Sequence, residues 1–183
     1  MNSLKTVLVV MLLSFIGPMN AQQKIFRQWM VGTELDVIPF VFDGYYASLI
    51  GGYEHWRSRM VLSHLTTPDF VTPSGFKDNV LDVKALIVDY YPQKGFHGWW
   101  IGSGFEIWDG NVKQTSSGHK KDYQTSIFTL GSGYTYYFYR WLYINPWVAI
   151  HIPIAGDRKI KFNDDTYSVK TSSEASLKLG CSF

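Results

Sequence analysis

Cysteine is almost absent from this chain: its 183 residues hold one, Cys181. A single thiol excludes a disulfide framework, and the lack of a cysteine behind the N-terminal segment excludes a lipidated anchor. Long apolar runs are also missing. After Ile16 nothing approaches the roughly 20 residues of a spanning helix, so any crossing of a bilayer has to use strands. Charge of one sign is scarce too. Lys and Arg total 17 against 15 Asp and Glu, and a net charge of +2 makes nucleic acid an unexpected partner. The histidines His55, His64, His97, His119 and His151 stand without ligand spacing, so no metal is expected. No cofactor is expected either. Gly102-Ser103-Gly104 and Gly131-Ser132-Gly133 lie inside alternating segments, where small residues leave room for neighbouring Trp and Tyr rings. Repeats, low-complexity segments and interdomain linkers are absent.

The N-terminus carries Lys5, a short apolar run over residues 6–16, a Gly17-Pro18 break and then Ala21. This is the pattern of a cleavable secretory signal peptide over residues 1–21, although Met19 is large for the position third from the cut. The remainder, residues 22–183, is about 160 residues long and is read as one domain.

Along that domain, segments of period 2 recur. The clearest is the last, where Ala175, Leu177, Leu179, Cys181 and Phe183 share one face and Glu174, Ser176, Lys178, Gly180 and Ser182 the other. Earlier segments cover 32–40, 45–56, 59–65, 79–91, 98–108, 126–138 and 143–153, which brings the total to about eight strands. Tight joints near Arg57, Gln93 and Arg140 alternate with polar stretches over 66–78, 109–121 and 155–170. Trp56, Tyr90, Tyr91, Phe96, Trp99, Tyr136, Phe138, Trp141 and Phe183 gather near the tight joints, as an interfacial aromatic belt would.

With its short and long connections on opposite ends and its final strand closing on Phe183, the chain resembles small eight-stranded outer-membrane β-barrel proteins of Gram-negative bacteria. The runs GWWIGSGFEIW and NPWVAIHIPIAGD look like those of uncharacterised members of that group. The resemblance implies an all-β fold, a single antiparallel transmembrane up-and-down barrel. It also implies location in the cell outer membrane, contact with outer-membrane lipid and lipopolysaccharide, and use of Phe183 as the signal to the assembly machinery. The protein is expected to be a monomer.

A barrel of eight strands is just wide enough for side chains to fill. Alternation nominates Glu34, Asp36, Glu54, Arg59, Lys84, Glu106, His151, Glu174 and Lys178 as an interior polar network, joined by Ser48, Asn145 and Ser176. Such charges have to be paired, and the expected role is structural or interactive, with a filled polar interior and no open pore. The same alternation puts Asp89 and His64 on the outer face. Two alternatives remain. One is an outer-membrane enzyme acting on lipid A or phospholipid, with His151, Ser63 and Glu174 as candidate catalytic groups. The other is a secreted or periplasmic β-barrel that holds an apolar ligand. Lys113, Lys120, Lys121, Arg158, Lys159, Lys161 and Lys170 lie in the long connections, where they could meet lipopolysaccharide phosphates.

Overall fold

The computed structural model describes residues 28–41, 43–69, 71–163 and 165–183. The leader expected over residues 1–21 lies outside them. The elements are β1 (Trp29–Asp36), α1 (Val37–Val41), β2 (Tyr45–Tyr53), β3 (Trp56–Thr67), β4 (Phe76–Tyr90), β5 (Gly98–Gln114), β6 (Lys120–Tyr137), β7 (Leu142–Gly156), β8 (Lys159–Lys161), β9 (Thr166–Ser168) and β10 (Ser172–Ser182). Eight of the strands close into an antiparallel barrel in the order β1-β10-β7-β6-β5-β4-β3-β2, while β8 and β9 form a separate hairpin. Closure leaves no unpaired sheet edge along most of the ring. At the seam Phe183 donates its N–H to the Val31 carbonyl at 2.8 Å and accepts from Val31 at 3.1 Å.

The side-chain pattern is inverted relative to a water-soluble domain. Val31, Leu49, Trp99 and Phe105 are 68, 64, 68 and 63% exposed, whereas Glu34, Arg57 and Asp89 are fully buried. Charged side chains are almost never fully buried unless paired, so the interior has to satisfy them. Outside, the apolar band is bordered at the short-turn end by Trp29, Tyr53, Trp56, Tyr90, Trp99, Tyr139, Trp141 and Phe183, all exposed. Trp56 packs on Tyr90 and Trp141 stacks on Phe183, with ring centroids 4.9 and 6.1 Å apart. Tyr91 and Phe96, expected in that belt, instead turn inward and are buried.

Four local features differ from the pattern read in sequence. The joint between β2 and β3 is the two-residue turn Glu54-His55, with Glu54 at φ 54°, and Arg57 already belongs to the strand. Glu54 therefore leaves the interior and pairs with Lys94 at 3.6 Å. The stretch expected to continue β1 to residue 40 becomes helix α1. Pro39 has no N–H to give a ladder, and Asp36 caps the turn by accepting the Ile38 N–H at 3.0 Å. The polar stretch over 109–121 is largely an extension of the β5/β6 hairpin, paired from Asp109↔Gln124 to Lys113↔Lys120. Its polarity reflects two solvated faces, which a period-2 apolar search does not register.

Lys84 is the fourth. It lies on the outer face of β4 and pairs with Asp109 at 3.4 Å, while Asp89, of opposite parity, points in. Residues 85–88 are apolar without a break, so alternation alone does not choose between the two registers.

Small residues on the inner face admit large rings, as at Gly180, where a Cβ would run into the Tyr143 ring. Gly180→Val is expected to cost about 1–3 kcal/mol through overpacking. A lower urea midpoint for the gel-mobility shift of the purified protein would register it.

Candidate functional site

The interior has two storeys. The lower one, toward the short turns, is a closed floor built from β3, where Arg57 and Arg59 share a face two residues apart, and from Asp89, the register partner of Arg57 on β4. Asp89 Oδ2 accepts from Arg57 Nε at 2.7 Å and from Arg59 Nε at 2.8 Å, and its Oδ1 accepts from Arg59 Nη2 at 2.9 Å. Glu34 Oε1 takes Arg57 Nη1 at 3.1 Å and Asn145 Nδ2 at 2.9 Å. Two guanidinium groups thus face two carboxylates. Such fork geometry is what makes buried Arg–carboxylate pairs tolerable. Trp100 lies under both cations, 5.2 and 5.0 Å from ring centroid to Cζ of Arg57 and Arg59, and its Nε1 donates to Asn145 Oδ1 at 2.9 Å. Below it Met30, Ile50, Tyr91, Phe96 and Tyr143 pack as an apolar layer.

The upper storey is a cup open toward the long connections, with a cavity of about 740 Å³. One wall is apolar: Val61 and Leu65 of β3 and Leu81, Val83, Ala85 and Ile87 of β4. Leu65, Val83 and Ala85 face inward yet are only half-buried, because the cavity lies against them. The opposite wall is polar. His151 Nε2 lies 3.2 Å from Glu174 Oε2, and its Nδ1 lies 2.9 Å from Thr129 Oγ1 and 3.4 Å from Glu106 Oε1. Glu106 also accepts from Thr129 Oγ1 and from Trp108 Nε1, both at 2.6 Å. Both ring nitrogens of His151 therefore face acceptors, an arrangement that its two N–H donors satisfy when protonated. Nearer the mouth, burial holds the Tyr123 hydroxyl above its ordinary pKa, and it donates to Asn79 Oδ1 at 2.9 Å.

Of the residues nominated from sequence, Glu34, Asp36, Arg59, Glu106, His151, Glu174 and Lys178 point into the barrel, as do Ser48, Asn145 and Ser176, with Glu174 half-exposed at the rim. Glu54 and Lys84 do not, for the reasons above. They also do not form one network: Glu34 and Arg59 belong to the floor, while Glu106, His151 and Glu174 line the cup. The interior is not filled throughout, since the cup departs from the expected plug, and its β3/β4 wall is not polar.

Among the three catalytic candidates, His151 and Glu174 come together, whereas Ser63 stands on β3, opposite β7 in the ring. Its hydroxyl donates to the Tyr45 carbonyl at 3.0 Å. His64 keeps to the outer face and pairs with Asp82 at 2.7 Å. Arg57, Asp89 and Trp100 are floor residues not nominated from sequence: alternation puts Arg57 in the turn and Asp89 on the outer face, and it does not single out Trp100, though Trp100 shares the inward face of Glu106. A signal was available for Asp89: two arginines of one parity on β3 require a second buried acid on the neighbouring strand.

The barrel of the N-terminal domain of Pseudomonas aeruginosa OprF matches this chain with a TM-score of 0.55 at 12% identity, over 86% of this chain and 98% of that one. Neisserial surface protein A (NspA) matches with a TM-score of 0.50 at 12% identity, over the same shares. The fold is that of the eight-stranded outer-membrane barrels. No protein-family model and no curated protein matches the sequence.

Proposed function

We propose that this protein is an integral barrel of the outer membrane with a structural or interaction role, closed to ion flow. The observation that carries the reading is the inverted side-chain pattern: exposed apolar residues on all eight barrel strands around an interior holding paired charges. Lipid is the surrounding that makes such an exterior favourable, and the aromatic border at the short-turn end suits a headgroup interface. Phe183, at that end of the closing seam, serves in this reading as the mark for the assembly machinery. Lys120, Lys159 and Lys170 of the long connections are exposed beyond the apolar band, where lipopolysaccharide phosphates would lie.

Heat-modifiable gel mobility of the protein extracted from the outer-membrane fraction tests the placement. The unheated form is expected to run faster than the boiled one, and recovery in plain buffer from the soluble fraction would overturn the reading. In planar bilayers the wild-type barrel is expected to give no discrete conductance steps, because buried ion pairs and the rings packed beneath them occupy the lower bore.

A further inference from the structure

We propose that the cup is a binding site for a long-chain monocarboxylate, with the carboxylate on its floor and the hydrocarbon chain along the β3/β4 wall. The inference goes beyond the membrane reading, because it assigns a ligand to the barrel's own cavity.

The floor of the cup is made of donors. Lys178, fully buried on β10, gives one N–H to Tyr46 Oη at 2.9 Å and lies 3.7 Å from the Trp147 ring centroid. Among the described residues no carboxylate pairs with it. Its register partner Asp36 is engaged through Oδ1 by Ser176 Oγ and the Ile38 N–H, and Glu34 through Oε1 by Arg57 and Asn145, with Glu34 Oε2 left without a hydrogen bond. An ammonium carries three donors, and apart from Tyr46 Oη the Lys178 ammonium meets only ring faces, 3.7 and 4.5 Å from the Trp147 and Tyr46 centroids, while Tyr46, accepting from Lys178, retains its own hydroxyl hydrogen. Trp147 also lines the floor and holds its ring face under the Lys178 ammonium. Lys178 and Tyr46 both line the cavity, and these two donors, one of them cationic, fit an anion with two acceptor oxygens. A carboxylate supplies those oxygens in a plane, and a charge-assisted hydrogen bond to Lys178 anchors it.

The remainder of the cavity fits the chain. At about 740 Å³, with one apolar wall facing a polar one, it has the size of a small-molecule site. The wall formed by Leu81, Val83, Ala85 and Ile87 lies on β4, opposite β10 in the ring, so a ligand held by Lys178 faces hydrocarbon across the bore. The barrel wall is also incomplete at this height. β1 stops at Asp36, so residues 172–177 of β10 pair only with β7, and residues 45–47 of β2 only with β3. Helix α1 spans that break, and its Ile38 and Pro39 line the cavity while Phe40 and Val41 are exposed. A tail longer than the cavity has an apolar exit there.

The full barrel, exchanged from detergent into amphipol, is the sample, and tritiated palmitate is the probe. Saturable equimolar binding is expected. Lys178→Met should weaken it by about 10- to 100-fold, the range for losing one hydrogen bond to a charged group. Tyr46→Phe should weaken it less, and Val83→Trp, which fills the cavity without touching the floor, should abolish it. Hexadecanol should compete poorly. Equal binding by wild type and both Lys178→Met and Val83→Trp would overturn the proposal, and so would full competition by hexadecanol or by a diacyl phospholipid. Gel mobility of each variant reports folding separately. A heat-modifiable barrel that ignores palmitate defeats this inference alone, and a palmitate binder soluble in plain buffer defeats the membrane reading alone.

Discussion

Asp89→Asn is expected to destabilise the barrel by about 3–5 kcal/mol, the usual cost of removing one partner from a buried ion pair. Asparagine has nearly the same shape, so packing is conserved and the loss isolates charge and donor geometry. In the native floor, Asp89 Oδ2 receives Arg57 Nε and Arg59 Nε, and Oδ1 receives Arg59 Nη2. Whichever way an amide is turned, its NH₂ meets at least one guanidinium N–H. Glu34 is then left to balance two buried cations. Asp82→Asn provides the contrast, because Asp82 is 56% exposed and pairs with His64 on the outer face. A pair at that exposure is worth about 0–1 kcal/mol. Urea titration of both variants in micelles, read by gel mobility, compares them. If Asp89→Asn costs no more than Asp82→Asn, the floor is held by its rings and not by its charges.

The fold was legible because a two-faced strand writes its period into the sequence, and the final strand did so without ambiguity from Ala175 to Ser182. Strand ends were less legible, for reasons that lie in particular residues. Asp109 to Lys113 are polar on both faces once they rise beyond the apolar band, so the hairpin extension looked like a loop. Residues 85–88 of β4 are apolar throughout, which erased the parity and exchanged the placements of Lys84 and Asp89. The joint assigned to Arg57-Ser58 moved three residues upstream because Glu54 adopts the left-handed backbone of a two-residue turn, a conformation rare for glutamate.

The site was legible only in part. Alternation named most of the inward charges but not their division into two storeys. That division depends on axial height, which is set by register and by shear around the ring. It also gave no hint of the cup. The apolar inward face of β3 and β4 near the long connections reads, in sequence, like any strand apolar on both faces. The break beside β1 was hidden for a related reason: Val37, Ile38, Phe40 and Val41 look like strand residues, and only Pro39 and the Asp36 cap turn them into a helix.

Trp100→Ala is expected to have a comparable cost, about 3–5 kcal/mol for a buried aromatic removed to alanine, and to change what the barrel does. The indole is 2% exposed and fills the bore beneath the charged floor. It fits because Gly133 on the adjacent strand has no side chain, since a Cβ there would come within 2.6 Å of Trp100 Cζ2. Its removal leaves a hole lined by Arg57, Arg59 and Asn145, with Asn145 Oδ1 deprived of its donor. Polar, roomy holes take up water. Water at this height lies just below the cup, with one apolar layer left beneath it. The expected readout is discrete conductance steps in planar bilayers for Trp100→Ala and none for wild type, with Trp100→Phe retaining enough of the ring to stay closed. If Trp100→Ala remains folded and silent, the layer of Met30, Tyr91, Phe96 and Tyr143 is the seal, and the ion pairs above it hold the strands together without gating anything.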